Sequence, residues 1–285
     1  MLRIRVEATS ANVCVGFDVL GIALDLYNEF TFEKKECFSF KGFAAKYSTI
    51  EHNLVYDSYI EVFKRLNKNP IPVEIGFSGD IPVSRGLGSS SSLIVAGVFA
   101  ANEMLEKPLT KDECFCICAS LEGHPDNVAP AIYGSLIASY KKDEKYYPIK
   151  YEISEDLKFI VIIPKYELKT QDARNVLPKE LPYKDIVSNL SRIVNIPKAF
   201  KEGNLELLKD LFEDKLHEPY RSKLIKEYDI IKNICDKNNL PFAISGSGST
   251  MLVITKDLNI AADLGEFDCD IKILNVGKGI KILGE

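Results

Sequence analysis

A glycine- and serine-rich segment that leads directly into an unbroken apolar segment constrains the fold of this chain most. Arg85-Gly-Leu-Gly-Ser-Ser-Ser-Ser92 is followed by Leu93–Ala101, nine residues without a polar side chain. A helix with no polar face is buried inside a domain, because it has no side to offer to water. Glycines let backbone N–H groups approach an anion, and a helix N-terminus adds partial positive charge. The two segments together predict a phosphate-binding loop at the start of a buried helix.

The predicted loop differs from a Walker A motif, since no Gly-Lys-Ser/Thr sequence closes it. A flexible Gly/Ser connector is the alternative on composition alone. The adjoining helix argues against a connector, because a disordered linker would not be attached directly to a core element. The hydroxyl groups of the loop are suited to a nucleotide triphosphate or to the Mg²⁺ ion that accompanies it.

The composition is that of a globular protein. Of 285 residues, 46% are apolar and 27% are charged, which allows a sizeable core. The net charge is −5 without long runs of like charge, so nucleic acid is not an expected partner. The longest apolar segments fall far short of the roughly 20 residues that span a membrane. The first ten residues lack a signal-peptide pattern, and seven irregularly spaced cysteines indicate reduced thiols, so we expect a cytoplasmic protein.

The hydrophobic pattern predicts two halves that both mix strands and helices. In the first half, alternation over Leu2–Ala8 predicts a strand that ends in a polar turn. The second half opens with the continuous apolar run Phe159–Ile163, which predicts a strand buried on both faces. Helical patterns follow from 170 to 237, then two strands around the turn Gly246-Ser-Gly248, and a final strand near 271–276.

The segment Glu122-Gly-His-Pro-Asp-Asn127 holds four chemically capable side chains in six residues. It could supply a Mg²⁺ ligand and polar contacts to a small substrate. A turn whose polar groups satisfy one another is an equally good reading of the local sequence, with Asp126 capping the helix that follows. His52 and His217 lie outside any motif of their own, and isolated histidines are usually structural.

Three cysteines close together, Cys114, Cys116 and Cys118, raise the question of a metal site. They follow a predicted capping box at Thr110–Glu113, so they lie in a helix, where only Cys114 and Cys118 share a face. Structural zinc needs four converging ligands. Packing in the core is therefore the favoured interpretation.

Taken together and in order, these segments resemble the GHMP family of small-molecule kinases. Pro82–Ser91 is similar to the phosphate loop of the family, and Ile244–Thr250 is similar to its third, glycine-rich motif. Four further segments are similar to the branch that phosphorylates homoserine: Ala8–Asp18, Glu122–Pro130, Ala173–Pro178 and Leu216–Arg221. Cys14 and Val15 stand where the family usually has Gly-Pro, and Ser249 stands where it usually has proline. These departures affect loop stiffness and replace no substrate-binding side chain.

The resemblance implies an α+β protein with the two-domain GHMP kinase fold. The expected domains are residues 1–152, a mixed α/β nucleotide-binding half with the phosphate loop, and 153–285, a ferredoxin-like half. The implied reaction transfers the γ-phosphoryl group of ATP, accompanied by Mg²⁺, to the side-chain hydroxyl of L-homoserine, on the route to threonine. A homodimer is the expected assembly. The alternatives are another GHMP kinase, of mevalonate or sugar type, or a non-catalytic ligand sensor, although a sensor would be expected to lose the metal ligands.

Site residues are implied by matching motifs. The expected nucleotide-binding residues are Asn53, Val83, Ser84, Arg85, Gly86, Leu87, Gly88, Ser89, Ser90 and Ser91. The expected substrate-binding residues are Asn12, Asp18, His124, Asp126, Thr170, Arg174 and Arg221. Ser90 and Glu122 would hold Mg²⁺, and Asn127 and Arg174 are the catalytic candidates. No carboxylate is assigned as a base, because the phosphoryl group is an alternative acceptor of the hydroxyl proton.

Overall fold

A computed structural model describes residues 1–264 and 267–284, and its elements mix strands and helices in both halves. The strands are β1 (Leu2–Ala11), β2 (Leu20–Lys34), β3 (Ser39–Lys41), β4 (Val73–Gly79), β5 (Leu136–Lys142), β6 (Lys145–Tyr151), β7 (Lys158–Pro164), β8 (Phe242–Ile244), β9 (Met251–Thr255), β10 (Cys269–Leu274) and β11 (Lys281–Leu283). The helices are α1 (Leu54–Arg65), α2 (Ser89–Met104), α3 (Lys111–Glu122), α4 (Val128–Tyr133), α5 (Thr170–Asn175), α6 (Tyr183–Ile193), α7 (Ile196–Glu202), α8 (Leu205–Leu211), α9 (Glu218–Arg221), α10 (Tyr228–Lys237) and α11 (Ile260–Leu264).

The first sheet carries the phosphate-loop half of the chain. Its strands run in the order β11-β1-β2-β4-β3, and the hairpin of β5 and β6 extends from β2. All pairs are antiparallel except β3 with β4, and a bulge interrupts β1 between Glu7 and Ala8. Helices α1 to α4 cover one face, and α2 lies within that core, with Val95, Ala96 and Val98 fully buried. The buried helix predicted after the loop is confirmed.

The second sheet has the strand order β10-β7-β9-β8, and every pair in it is antiparallel. In chain order this is strand, helices, two strands, helix, strand, which is the ferredoxin-like arrangement. The continuous apolar sequence of β7 is explained by burial of both its faces. Phe159 and Val161 pack in one hydrophobic core, and Ile160 and Ile162 pack in another. A strand that is buried on both faces needs no polar alternation.

A shared core joins the two halves. Buried side chains of the β1–β2 region, such as Leu20 and Leu24, pack in one cluster with Phe159 of β7 and Phe200 of α7. The short strand β11 also returns from the end of the chain and pairs with β1. A domain division after residue 152 stays a prediction; the β5–β6 hairpin ends at Tyr151 and β7 begins at Lys158.

Within residues 1–264 and 267–284, the helices lack the combination of length and apolarity that a bilayer crossing requires. The predicted capping box is confirmed, since the Thr110 side chain and Glu113 bond reciprocally at the start of α3. Cys114 and Cys118 are buried in the core that contains this helix, and the Sγ atom of Cys116 lies 3.5 Å from the carbonyl oxygen of Tyr146.

Candidate functional site

A cavity of about 630 Å³ is lined by residues of both halves. The loop after β1, the start of α2 and the turn between α3 and α4 contribute from the first half, while α5, α9 and the β8–β9 turn contribute from the second. Of the predicted site residues, Asn12, Asp18, Asn53, Val83, Ser84, Arg85, Gly86, Gly88, Ser89, Ser90, Glu122, His124, Asp126, Asn127, Thr170, Arg174 and Arg221 line it. Leu87 and Ser91 are buried beside the cavity and are not part of its lining. The fold thus brings together residues as far apart in the chain as Asn12 and Arg221.

The predicted phosphate loop precedes α2 directly. Gly88 is the N-cap residue of the helix, in the left-handed conformation at φ +69° and without a side-chain cap. The first N–H groups of a helix have no acceptor within it, so they are available to an anion at this end. A Cβ atom on Gly88 would lie 2.1 Å from Thr9 Oγ1, so the close packing of the loop on β1 also requires glycine.

The glycine-rich turn between β8 and β9 supports the phosphate loop from the other half. Ser245 Oγ donates to the carbonyl of Gly86 at 2.7 Å, and the N–H of Thr250 donates to the carbonyl of Arg85 at 3.1 Å. A Cβ atom on Gly86 would lie 2.2 Å from the Ser245 carbonyl oxygen. The turn therefore does more than connect two strands: it positions the backbone of the loop.

Arg85 and Asn53 have their polar atoms engaged by the protein. The guanidinium of Arg85 donates to the carbonyls of Val83, Pro164 and Lys165. Asn53 caps α1: its side-chain oxygen accepts from the N–H of Tyr56, and its side-chain NH₂ donates to the Tyr47 carbonyl at 2.7 Å. Both residues line the cavity, and both hold the backbone around it.

Glu122, at the end of α3, faces the first turn of α2. One carboxylate oxygen accepts from Ser91 Oγ at 2.9 Å, and the other lies 3.3 Å from Ser90 Oγ. Burial raises the pKa of Glu122, and the two hydroxyl hydrogen bonds counter part of that rise. A carboxylate beside hydroxyl groups is a set of hard oxygen donors, the kind that Mg²⁺ prefers.

The turn after α3 places a second carboxylate close to the first. Asp126 is 2% exposed, and its Oδ1 lies 2.6 Å from Nδ1 of His124. Burial alone would lower the pKa of His124, but the hydrogen bond and charge of Asp126 raise it overall. Asp126 does not cap the next helix: Asn127 is the N-cap residue of α4, and its side-chain oxygen accepts from Thr9 Oγ1 at 2.8 Å.

Two arginines of the second half line the cavity together with carboxylates of the first. Arg174 donates two hydrogen bonds to Asp18, of 2.8 and 3.2 Å, and this pair raises the pKa of the guanidinium. Arg221 is 2% exposed and donates to the carbonyls of Ala173 and Gly246. Burial and the charge of Arg174 lower the pKa of Arg221 to about 10, so its guanidinium stays charged at neutral pH.

Asn12 and Thr170 are the remaining predicted substrate-binding residues that line the cavity. Asn12 Nδ2 donates to the Gly246 carbonyl at 2.7 Å, and its Oδ1 accepts the backbone N–H of Asp18. Thr170 Oγ1 lies 3.4 Å from Ser247 Oγ. Asn12 thereby links the loop after β1 to the β8–β9 turn.

Sequence reasoning missed the apolar part of the cavity wall. Phe43, Tyr47, Phe77 and Leu93 line it, and the rings of Phe43 and Phe77 are stacked at 5.1 Å. No motif marks these residues, because they come from separate elements and are hydrophobic like many others. The frequent Phe and Tyr residues between positions 33 and 77 were the one feature of the sequence that could have indicated this wall.

Comparisons with known proteins agree with this geometry. Residues 53–135 match the family model "GHMP kinases N terminal domain", and 197–267 match "GHMP kinases C terminal". A homoserine kinase from Clostridium botulinum (strain Kyoto / Type A2) is 41% identical over 259 residues, which is 90% of this chain and 87% of that protein. A homoserine kinase from Halothermothrix orenii is 36% identical over an alignment covering 100% of this chain and 97% of that protein.

Solved structures give the same result. The crystal structure of homoserine kinase from Cytophaga hutchinsonii superposes with a TM-score of 0.88 at 26% identity, covering 99% of this chain and 97% of that one. A putative homoserine kinase from Listeria monocytogenes superposes with a TM-score of 0.82 at 30% identity and covers 100% of both chains. By sequence relatives and by fold, this chain belongs to the GHMP kinase family.

Proposed function

We propose that this protein is a homoserine kinase, which transfers the γ-phosphoryl group of ATP to the side-chain hydroxyl of L-homoserine. The names of its relatives suggest the substrate. The single observation that carries the proposal is the charge pattern of the cavity, where carboxylates and guanidiniums lie together beside the phosphate loop.

Homoserine is a zwitterion, so its site needs both signs of charge. Arg174 and Arg221 are the groups for the α-carboxylate, because a guanidinium can donate two parallel hydrogen bonds to it. Asp126 and Asp18 are the groups for the ammonium. Asp18 and Arg174 bind each other, which is the same pairing of charges that a bound zwitterion would extend. A mevalonate-type or sugar substrate has no ammonium, so it would gain nothing from the negative charge of these two carboxylates beside the guanidiniums.

The nucleotide would occupy the other end of the cavity. The backbone of Gly86–Ser90 would surround the phosphates, and the apolar wall formed by Phe43, Tyr47 and Phe77 offers a surface for the base. Asn53 has its amide engaged by backbone groups, so its role at the base is to hold Tyr47 and the start of α1 in place.

Ser90 and Glu122 fit Mg²⁺, since they combine a carboxylate with a hydroxyl at the end of the phosphate loop. When bound with ATP, Mg²⁺ neutralises charge on the phosphates. Phosphoryl transfer otherwise requires alignment and electrostatic stabilisation, and Arg174 and Asn127, which line the cavity, are the residues proposed to supply these. The hydroxyl proton passes to a phosphoryl oxygen in this scheme, and no side chain is assigned as base. A cytoplasmic location and a homodimer stay predictions.

The direct test is ADP release with Mg-ATP and a panel of homoserine, mevalonate, shikimate and galactose. We expect turnover with homoserine alone, and identification of O-phosphohomoserine as the product. Turnover with mevalonate or galactose in place of homoserine would contradict the proposal in favour of another GHMP kinase. Absence of turnover with every alcohol would favour the ligand sensor.

A further inference from the structure

The loop Asn12–Asp18, which contributes Asn12 and Asp18 to the cavity wall, has an unfavourable backbone. Asn12, Val13 and Cys14 are three consecutive non-glycine residues with φ values of +68°, +39° and +59°. L-residues avoid this region, and a β-branched residue avoids it most. Such a run persists only where surrounding contacts hold it in place. Because Asn12 and Asp18 line the cavity, whatever holds the run also sets the substrate wall.

A histidine from the other half of the chain holds the end of this run. Nε2 of His217 lies 2.8 Å from the carbonyl oxygen of Cys14, which can only accept a hydrogen bond, so Nε2 carries the proton. The side chain of His217 is fully buried, and burial lowers its pKa, which keeps the imidazole neutral. Among the described residues, Nδ1 has no hydrogen-bond partner, so the bond to Cys14 is the hydrogen bond of this ring; the Asp214 carboxylate lies farther away, 3.8 Å from Nε2.

Asp214 fixes the backbone that carries the imidazole. Its Oδ2 accepts the N–H groups of Leu216, His217 and Glu218 at 2.6 to 3.0 Å. Its Oδ1 accepts from Asn189 Nδ2 at 2.6 Å. The turn before α9 is therefore rigid, and His217 reaches Cys14 from a fixed position.

The imidazole also supports a ring that lies against both arginines. Phe17 stacks on His217 with 5.3 Å between ring centroids and an angle of 27°. The guanidinium carbons of Arg221 and Arg174 lie 5.2 and 5.9 Å from the centroid of Phe17. His217 thus acts on the loop Asn12–Asp18 through Cys14 and on both guanidiniums through Phe17, and it does not itself line the cavity.

We propose that His217 is a positioning residue for the amino-acid end of the substrate, an inference that rests on the proposed function. It holds Asn12 and Asp18 through the Cys14 carbonyl, and it holds Arg174 and Arg221 through Phe17. Its loss should weaken homoserine binding more than ATP binding, because His217 acts directly on the substrate-binding residues, and these reach the phosphate loop only through the β8–β9 turn.

Two amides at position 217 give a matched test. The amide nitrogen of glutamine can reach the position of Nε2, so His217→Gln retains a donor for Cys14, whereas the shorter His217→Asn does not. We expect His217→Asn to raise the KM for homoserine about three- to tenfold, the effect of losing one neutral hydrogen bond. His217→Gln should keep the KM for homoserine close to the wild-type value. The KM for ATP should change less than twofold in both variants.

A purely structural role predicts a different result. Loss of folded protein would lower apparent kcat and leave both KM values unchanged, as we expect for the core variant Ile231→Val, which serves as the control. Phe17→Leu breaks the stack without altering position 217, and it should also raise the KM for homoserine alone; it decides the question if the position 217 variants do not fold.

The inference is overturned if His217→Asn or Phe17→Leu leaves the KM for homoserine within twofold of wild type, or raises the KM for ATP equally. Failure of the proposed function would look different, because the wild-type protein itself would then not phosphorylate homoserine.

Discussion

Replacement of Asp126 by asparagine tests whether this carboxylate binds the substrate or only stabilises the fold. Asparagine has nearly the same shape, and its side-chain oxygen can still accept the hydrogen bond from His124 Nδ1, now 2.6 Å from Asp126. The variant therefore removes a charge and retains the contact. Since Asn127 and not Asp126 is the N-cap residue of α4, no helix cap is lost. We expect the free energy of unfolding to fall by about 1 kcal/mol or less, the difference between a charge-assisted and a neutral hydrogen bond.

Binding of homoserine should change far more than stability. Losing a hydrogen bond between a buried carboxylate and the substrate ammonium costs about 2–3 kcal/mol. At 1.4 kcal/mol for each factor of ten, this is roughly a 30- to 150-fold rise in the KM for homoserine. The KM for ATP should stay near the wild-type value, because the side-chain hydrogen bond of Asp126 is to His124 and not to the phosphate loop.

The variant should also alter how stability depends on pH. Asp126 raises the folded-state pKa of His124, so protonation of His124 favours the folded protein. That contribution is complete below the unfolded pKa of about 6.5 and is lost as pH rises through the higher folded value. As pH rises above about 6.5, the urea midpoint of Asp126→Asn should therefore fall less than that of wild type.

A coupled ADP assay with homoserine titrated at saturating Mg-ATP measures the main effect. Asp229→Asn is the matched control, since Asp229 is exposed on α10 and does not line the cavity. If Asp126→Asn binds homoserine within twofold of wild type, the reasoning is refuted, and Asp18 becomes the next residue to test as the ammonium partner.

Three further predictions follow from other parts of the molecule. Glu122→Gln and Ser90→Ala should each lower kcat by orders of magnitude without unfolding the protein, and normal rates at saturating Mg-ATP in both would contradict their role as metal ligands. Burial raises the pKa of Glu218 to about 8, so the protonated carboxyl favours the folded state. This contribution to the free energy of unfolding is complete below about pH 4.5 and should decline by up to ~1.4 kcal/mol per pH unit as pH rises to 8. Urea unfolding of Glu218→Gln should lack this slope; an unchanged slope would show that another group causes it. Metal analysis of purified protein should find no stoichiometric zinc, and zinc lost on changing Cys114, Cys116 and Cys118 to serine would overturn that prediction.

Elements with a strong local signal were predictable. Helix α2 begins at Ser89, where the glycine-rich segment meets the apolar one, and the capping box at Thr110 starts α3. Both signals depend on residues within a few positions of each other. Strand β11 was not predicted, because Lys281–Leu283 is too short to show alternation and forms a strand only by pairing with β1.

The sequence could predict which residues belong to the candidate site better than it could predict how they are arranged. Family motifs indicated the polar residues, and most of them line one cavity. They could not indicate that Arg174 binds Asp18 across 156 positions, or that both side-chain polar groups of Asn53 are engaged by backbone. Such pairings depend on distances between elements that the chain brings together only on folding.

By itself the sequence determined the kinds of element and the chemistry available: a phosphate-binding loop before a buried helix, a doubly buried strand, and a polar turn with two carboxylates. These follow from hydrophobic period, glycine placement and side-chain type, which act over a few residues. Tertiary structure alone decided which charges meet, which aromatic rings form the apolar wall, and that His217 supports the Asn12–Cys14 backbone from 203 positions away. The physical reason is that hydrogen bonds and ion pairs act over a few ångströms, so they are set by the packing of two sheets on a shared core and not by neighbours in the chain.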